Sequence, residues 1–239
     1  MLTVDYSLLG IQDGERILDI GCGTGRHSWE ACRQACCNVY ALDIDGEELL
    51  RARGVLGAMD RQGESRGQWG LLRGSTLSLP FKEGVFDKVV CSEVLEHVPD
   101  DVQSIKEMAR VLKDRGIAAV SVPSYLPEAI CWRISSAYHA RAGGHVRIYR
   151  SGQLIPPLSA SGLHVYATRR KHALHSFYWI LRCLFGVNNE KAPLPSLYHR
   201  FLVWDMKTNS RLVRWLDSFL NLFFAKSMVL YATKNENER

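Results

Sequence analysis

The run Asp19-Ile20-Gly21-Cys22-Gly23-Thr24-Gly25 constrains this chain more than any other stretch. It continues the short apolar segment Arg16-Ile17-Leu18 and precedes a helical pattern over Arg26–Ala35. A buried parallel strand that ends in glycines and opens a helix brings backbone N–H groups close to a ligand, where side chains would block the approach. The spacing departs from G-x-G-x-x-G, because Arg26 stands where the third glycine would fall, and no Gly-Lys-Ser/Thr completes a P-loop. Asp43 closes the next strand pattern, Asn38–Asp43, 18 residues after Gly25. A carboxylate at that place accepts hydrogen bonds from both hydroxyls of a ribose.

Strand and helix patterns alternate through residue 123, which predicts a mainly parallel sheet with right-handed crossovers. Helices are expected over 46–53 and 100–112, the latter closed by a C-cap at Asp114-Arg115-Gly116. Strands are expected over 68–73, 86–91 and 117–122. Beyond Ser124 the pattern predicts a helix over 127–142, an extended segment over 145–149 and a short helical start over 151–161 that contains Pro156-Pro157. Two strands follow, 163–169 and 227–233. Roughly 55 mostly helical residues separate those strands, a connection long enough to suggest a function of its own. Within it Leu212, Leu216, Phe219, Leu220 and Phe223 recur at helical spacing, with Arg211, Arg214, Asp217 and Asn221 on the other face.

Charge divides the chain. Residues 1–124 carry a net −5 and residues 125–239 a net +10, and 17 of the 23 aromatic residues lie in the second part. A basic, aromatic surface suits an anionic or lipid-like partner, a membrane face or nucleic acid, although a set of helices with an aromatic core and solvated charge would read the same way. The seven cysteines contain no C-x-x-C and read as reduced cytosolic thiols. The start has no basic-then-apolar leader pattern, so a cytoplasmic chain is expected, with peripheral membrane contact as an extension of that expectation.

A ligand with a ribose and a group that tolerates the acidic Asp19 fits S-adenosylmethionine, whose amino group is cationic. Leu18-Asp19-Ile20-Gly21-Cys22-Gly23-Thr24-Gly25 resembles the first motif of class I S-adenosylmethionine-dependent methyltransferases. Leu79-Pro80-Phe81 and the run Phe86-Asp87-Lys88-Val89-Val90-Cys91-Ser92-Glu93-Val94-Leu95-Glu96-His97-Val98 are similar to the later signature of its small-molecule branch. The resemblance covers residues 15 to about 123. It implies an α/β, Rossmann-like fold: a seven-stranded sheet in the order 3-2-1-4-5-7-6 with strand 7 antiparallel, helices on both faces and a helical insertion near the C-terminus. Residues 1–124 would form the cofactor-binding core. Residues 125–239 would complete the sheet, with an insertion at about 173–225 acting as acceptor-binding lid.

The resemblance also implies site residues. Asp19, Gly21, Cys22, Gly23 and Gly25 would line the methionine end of the cofactor, and Asp43 and Ile44 would flank ribose and adenine. Many members carry Gly-Asp-Ala where this chain has Gly74-Ser75-Thr76, so Ser75 and Thr76 replace a charged adenine partner by hydroxyls. Ser92 and Glu93 would sit beside the methyl group. His97, His145 and Tyr149 are the catalytic candidates, needed as bases only if the acceptor holds its proton tightly. If residues 93–97 begin a helix, Glu93, Glu96 and His97 share one face. With His145 they would offer a divalent-metal set, but a structural tie between loop and helix is favoured and no metal is assigned. The reading is methyl transfer to a small, lipophilic or aromatic, or lipid-linked acceptor, with oxygen the favoured atom. An RNA substrate is disfavoured, since no RNA-binding module accompanies Arg169-Arg170-Lys171; DNA is not expected; a non-catalytic binding protein is the third alternative.

Overall fold

The computed structural model describes residues 2–139, 144–150, 152–189, 191–208 and 210–236. Seven strands form one sheet: β1 (Arg16–Ile20), β2 (Asn38–Asp43), β3 (Gln68–Arg73), β4 (Phe86–Ser92), β5 (Leu112–Pro123), β6 (Leu163–Lys171) and β7 (Ser227–Lys234). Their order is β3-β2-β1-β4-β5-β7-β6, with β7 antiparallel, as expected. The β2–β3, β1–β2, β1–β4 and β4–β5 pairs are parallel, and Asp19 is in register with Ala41 on one side and Val90 on the other. The chain leaves β1 toward β2 and β3, then returns to β4 on the other side. This reversal makes the carboxyl ends of β1 and β4 a topological switch point.

The helices are α1 (Tyr6–Leu9), α2 (Arg26–Gln34), α3 (Gly46–Arg61), α4 (Asp101–Val111), α5 (Tyr125–Ile134), α6 (Ser136–His139), α7 (Ile155–Ala160), α8 (Ala173–Phe185), α9 (Pro193–Thr208) and α10 (Arg211–Phe224). Contacts divide the chain into two units. The first comprises 1–121, 154–168 and 229–239, and the second 122–153 and 169–228. The first unit has a continuous apolar core in which Ile17, Val39, Val90 and Ala119 from the strands meet Ala31, Cys32, Leu56 and Met59 from α2 and α3. In the second unit one cluster joins Cys131, Cys183 and Val187, and another joins Leu174, Leu202 and Val213.

Several elements differ from the sequence expectation, each for a visible reason. Helix α3 runs to Arg61 rather than Arg53, through Gly54 and Gly57, because Ala52, Leu56 and Met59 continue its buried face. Asp45 caps its start, accepting from the Glu47 N–H at 2.8 Å. The segment Asp114-Arg115-Gly116 does not cap α4. That helix ends at Val111, and Leu112 already pairs with Phe86, so residues 113–116 form an irregularity within β5 before Ile117 pairs with Lys88. Arg115 takes φ +61°, and a side chain at Gly116 would meet Leu112 Cγ at 2.8 Å. The helix expected over 127–142 starts at Tyr125 and breaks at Ser135; residues 140–143 of that stretch lie outside the described residues, as does Ser151. Pro156 and Pro157 sit in the first turn of α7, where missing N–H groups cost no helical bond.

Helix α10 divides differently from its spacing: Arg211 and Arg214 stay exposed, and Leu220 packs inward. Leu212, Leu216, Phe219 and Phe223 are exposed, while Asp217 and Asn221 turn inward and cap α8. Asn221 Oδ1 accepts from the Ala173 N–H at 2.9 Å, and Asp217 Oδ1 from the Leu174 N–H at 3.0 Å. Two otherwise orphaned donors at the start of α8 decide which face docks.

Candidate active site

The first unit holds a cavity of about 330 Å³ at the carboxyl ends of β1, β2 and β4. Ile20 and Gly21 form one wall, Leu42, Asp43 and Ile44 a second, and Glu93, Val94 and His97 a third. The segment Gly74–Leu77 and Val98-Pro99 complete it. The lining is mostly apolar with a few polar groups, as expected of a site for a small organic molecule.

The glycine loop follows from packing as much as from ligand access. Gly21 has φ +65°, and a Cβ there would collide with Val94. Gly25, with φ +81°, precedes α2 and lies where a Cβ would press on Ala52 Cβ at 3.3 Å, so it serves the packing of α2 against α3 and does not line the cavity. The Gly21 and Cys22 N–H groups both donate to Leu42 O. The Gly23 N–H donates to Asp43 Oδ2 at 2.8 Å, and the Asp45 N–H to Asp43 Oδ1 at 2.9 Å. Each carboxylate oxygen keeps a second lone pair for a ligand hydroxyl. The Cys22 side chain is buried, and burial pushes its thiol far up, so it is an inert packing group.

Asp19 is only 2% exposed and accepts from Ser28 Oγ at 2.6 Å. Burial raises its pKa to about 6, against the lowering effect of the Ser28 bonds and of Arg26. It lies behind the loop rather than among the cavity residues. Ser92 is likewise buried. Ser121 Oγ donates its one proton to Glu93 Oε1 at 3.0 Å, so at the 2.9 Å contact with Ser92 the Ser92 hydroxyl donates. This chain fixes Glu93, whose φ of +58° is unusual for a non-glycine residue and marks the turn that follows β4. Glu93 therefore stands outside the turn that carries Glu96 and His97, a three-residue 3₁₀ segment, Leu95–His97, and the three do not share a helical face. Glu96 is buried, and His97 Nε2 lies 3.9 Å from its Oε1.

Ser75 Oγ is engaged by the Leu77 N–H at 3.2 Å. Thr76, 9% exposed, lines the cavity with an Oγ1 that has no hydrogen-bond partner among the described residues.

His145 and Tyr149 belong to the second unit. Tyr149 is buried and bridges Ser124 through its backbone. His145 Nδ1 meets Glu128 Oε1 at 2.6 Å, and Glu128 also accepts from Trp132 Nε1, Tyr138 Oη and Lys226 Nζ at 3.2, 3.2 and 3.3 Å. Burial pushes the Glu128 pKa up, but the His145 bond and the Lys226 charge outweigh it and hold it at about 2. Sequence reasoning missed Glu128. Its signal is a lone acid in a basic stretch, on a helix otherwise apolar on that side.

The strand order, the glycine loop at the end of β1 and the acid at the end of β2 are those of the Rossmann-like fold shared by the class I S-adenosylmethionine-dependent methyltransferases. Residues 18–120 match the family described as Methyltransferase domain. Methyltransferase phqN of Penicillium fellutanum is 28% identical over 163 residues, 66% of this chain and 49% of that protein. Sterol 24-C-methyltransferase ERG6 of Saccharomyces cerevisiae is 32% identical over 111 residues, 46% of this chain and 28% of that protein. The chain thus spans half or less of the length of these relatives. The crystal structure of a SAM-dependent methyltransferase from Methanosarcina mazei superposes with a TM-score of 0.62 at 18% identity, covering 95% of each chain, which establishes the shared fold.

Proposed function

We propose that the protein binds S-adenosylmethionine in the cavity of the first unit and transfers its methyl group to a small, lipophilic or aromatic acceptor, at oxygen. The observation that carries the reading is the Asp43 carboxylate, held by the Gly23 and Asp45 N–H groups with lone pairs to spare, in one mostly apolar cavity beside the glycine loop. In this reading Asp43 accepts from the ribose hydroxyls, Ile44 and Leu77 sandwich the adenine, and Thr76 Oγ1 bonds its edge. The Gly21–Gly23 backbone takes the methionine end, with Asp19 as the negative charge behind it. Bound there, the sulfonium supplies an activated methyl group that already has a good leaving group. The protein's work is alignment and exclusion of water.

A hydroxyl acceptor needs a base, and His97 lines the cavity within 3.9 Å of the buried Glu96 carboxylate, which favours the imidazolium that proton abstraction creates. The relative named for sterol methylation favours a lipophilic acceptor, but its name places the methyl group on carbon, so the choice of oxygen rests on His97. The test is transfer of a labelled methyl group to a panel of phenols, sterols and amines by wild type and His97→Ala. Labelling of a hydroxyl compound that the variant loses by about a hundredfold supports the reading. Labelling confined to carbon or nitrogen, unchanged by the variant, contradicts the oxygen assignment.

A further inference from the structure

The second unit carries an apolar surface that its own packing leaves uncovered. At 100° per residue, Leu222, Trp215, Phe219, Leu212, Phe223 and Leu216 of α10 fall on one arc of about 120°, and each of them is between 39% and 74% exposed. Trp215 stacks on Phe219 along it, and Phe219 meets Phe223 edge-on, with ring centroids 6.2 and 6.1 Å apart. The opposite arc, with Val213, Asp217 and Asn221, is the docked one. Arg211 and Arg214, both exposed, border the apolar arc on one side.

Helix α9 repeats the plan. Leu194, Leu197 and Trp204 are exposed along one side, Leu202 is buried on the other, and Arg200 and Lys207 lie at the edge beside Trp204. At the end of α10, Phe223 also lines a cavity of about 380 Å³ whose polar rim is Arg150 and Arg170. Arg150 stacks over Tyr125 at 4.8 Å, Arg170 bonds Leu222 O at 2.7 Å, and the buried Ser124 Oγ on the wall has no hydrogen-bond partner among the described residues. The whole unit holds 14 Lys and Arg against 4 Asp and Glu.

Exposed Trp, Phe and Leu on helices edged by arginine match the chemistry of the boundary between acyl chains and anionic headgroups. Among the described residues no helix is long and apolar enough to cross a membrane, so such helices would lie on the surface. We propose that α9 and α10 dock this unit on an anionic phospholipid bilayer. The α10 arc enters the acyl boundary, Arg200, Lys207, Arg211 and Arg214 meet the phosphates, and the Arg150–Arg170 cavity takes a headgroup.

The test is co-sedimentation of the full chain with vesicles of phosphatidylcholine and phosphatidylglycerol in equal parts, and with vesicles of phosphatidylcholine alone. The variants are Phe219→Glu and the pair Arg211→Glu with Arg214→Glu. All three positions are exposed, and circular dichroism with thermal melting checks their folding. Wild type pellets with the anionic vesicles at least about tenfold more strongly than with the neutral ones. Phe219→Glu abolishes the binding, and the arginine pair weakens it about tenfold or more. Equal binding to both vesicle types, no binding by wild type, or binding that survives Phe219→Glu overturns the proposal. So does a concentration-dependent dimer that Phe219→Glu dissociates, because the face would then belong to a second copy of the chain.

Discussion

Ser28 Oγ donates to Asp19 Oδ2 at 2.6 Å, and the carboxylate that accepts it is almost wholly buried. Burial outweighs it, so ionised Asp19 is held at a cost until a cation arrives. The raised pKa of about 6 means that the folded protein takes up the proton before the unfolded chain does. Stability therefore rises as pH falls from about 6 toward the ordinary carboxylate range near 4.

Asp19→Asn removes that dependence. The variant keeps an acceptor for Ser28 and is expected to be more stable than wild type at neutral pH by about 3 kcal/mol. Its affinity for S-adenosylmethionine should fall about tenfold or more. Chemical denaturation of both proteins at pH 7 and pH 5 checks this, the gap between them narrowing at pH 5. Lower stability of the variant at pH 7 would show that the carboxylate is not strained.

Gly21 combines a positive φ with a collision course toward Val94. Gly21→Ala should destabilise the fold by about 2–4 kcal/mol. Adding Val94→Ala should recover part of this, because it clears the clash and leaves the backbone strain. Melting of the two variants checks it; full recovery would mean that φ costs nothing there, and no recovery that Val94 is not the obstacle.

Glu128 acts in the opposite direction from Asp19. Its folded pKa, about 2, lies below the ordinary value of 4.5, so its contribution is present above about 4.5 and is lost as pH falls toward 2. Glu128→Gln leaves His145 and Lys226 facing a neutral amide, and about 3 kcal/mol should go at neutral pH. Acid titration of stability should then show a shallower fall below pH 4.5 in the variant than in wild type.

The sheet order and the glycine loop were legible in the sequence because both are local: an apolar run, its breaker and the acid at the next strand end are all set within a few residues. Asp43, Ile44, Thr76 and Glu93 line the cavity at the positions the motif implies. What escaped depends on distant partners. Ser75 Oγ accepts from the Leu77 N–H, and the Thr76 Oγ1 is buried, a difference between two neighbouring hydroxyls that only the folded turn decides. Glu93 leaves the helical face because β4 ends in a left-handed residue tied to Ser121, a partner on β5. Which face of α10 docks was not legible, because periodicity shows that a helix has two faces without saying which one packs. The Ala173 and Leu174 N–H groups, some 45 residues away in sequence, decide that. Trp179 packs against the Cys131–Cys183 cluster.

Calorimetric titration of S-adenosylmethionine into wild type and Asp43→Ala tests the central claim most directly. Asp43 carries two backbone bonds and has lone pairs left for two ribose hydroxyls. The account predicts micromolar binding by wild type, weakened at least about a hundredfold in the variant. Absence of binding by folded wild type, or equal affinity in a folded variant, would contradict it.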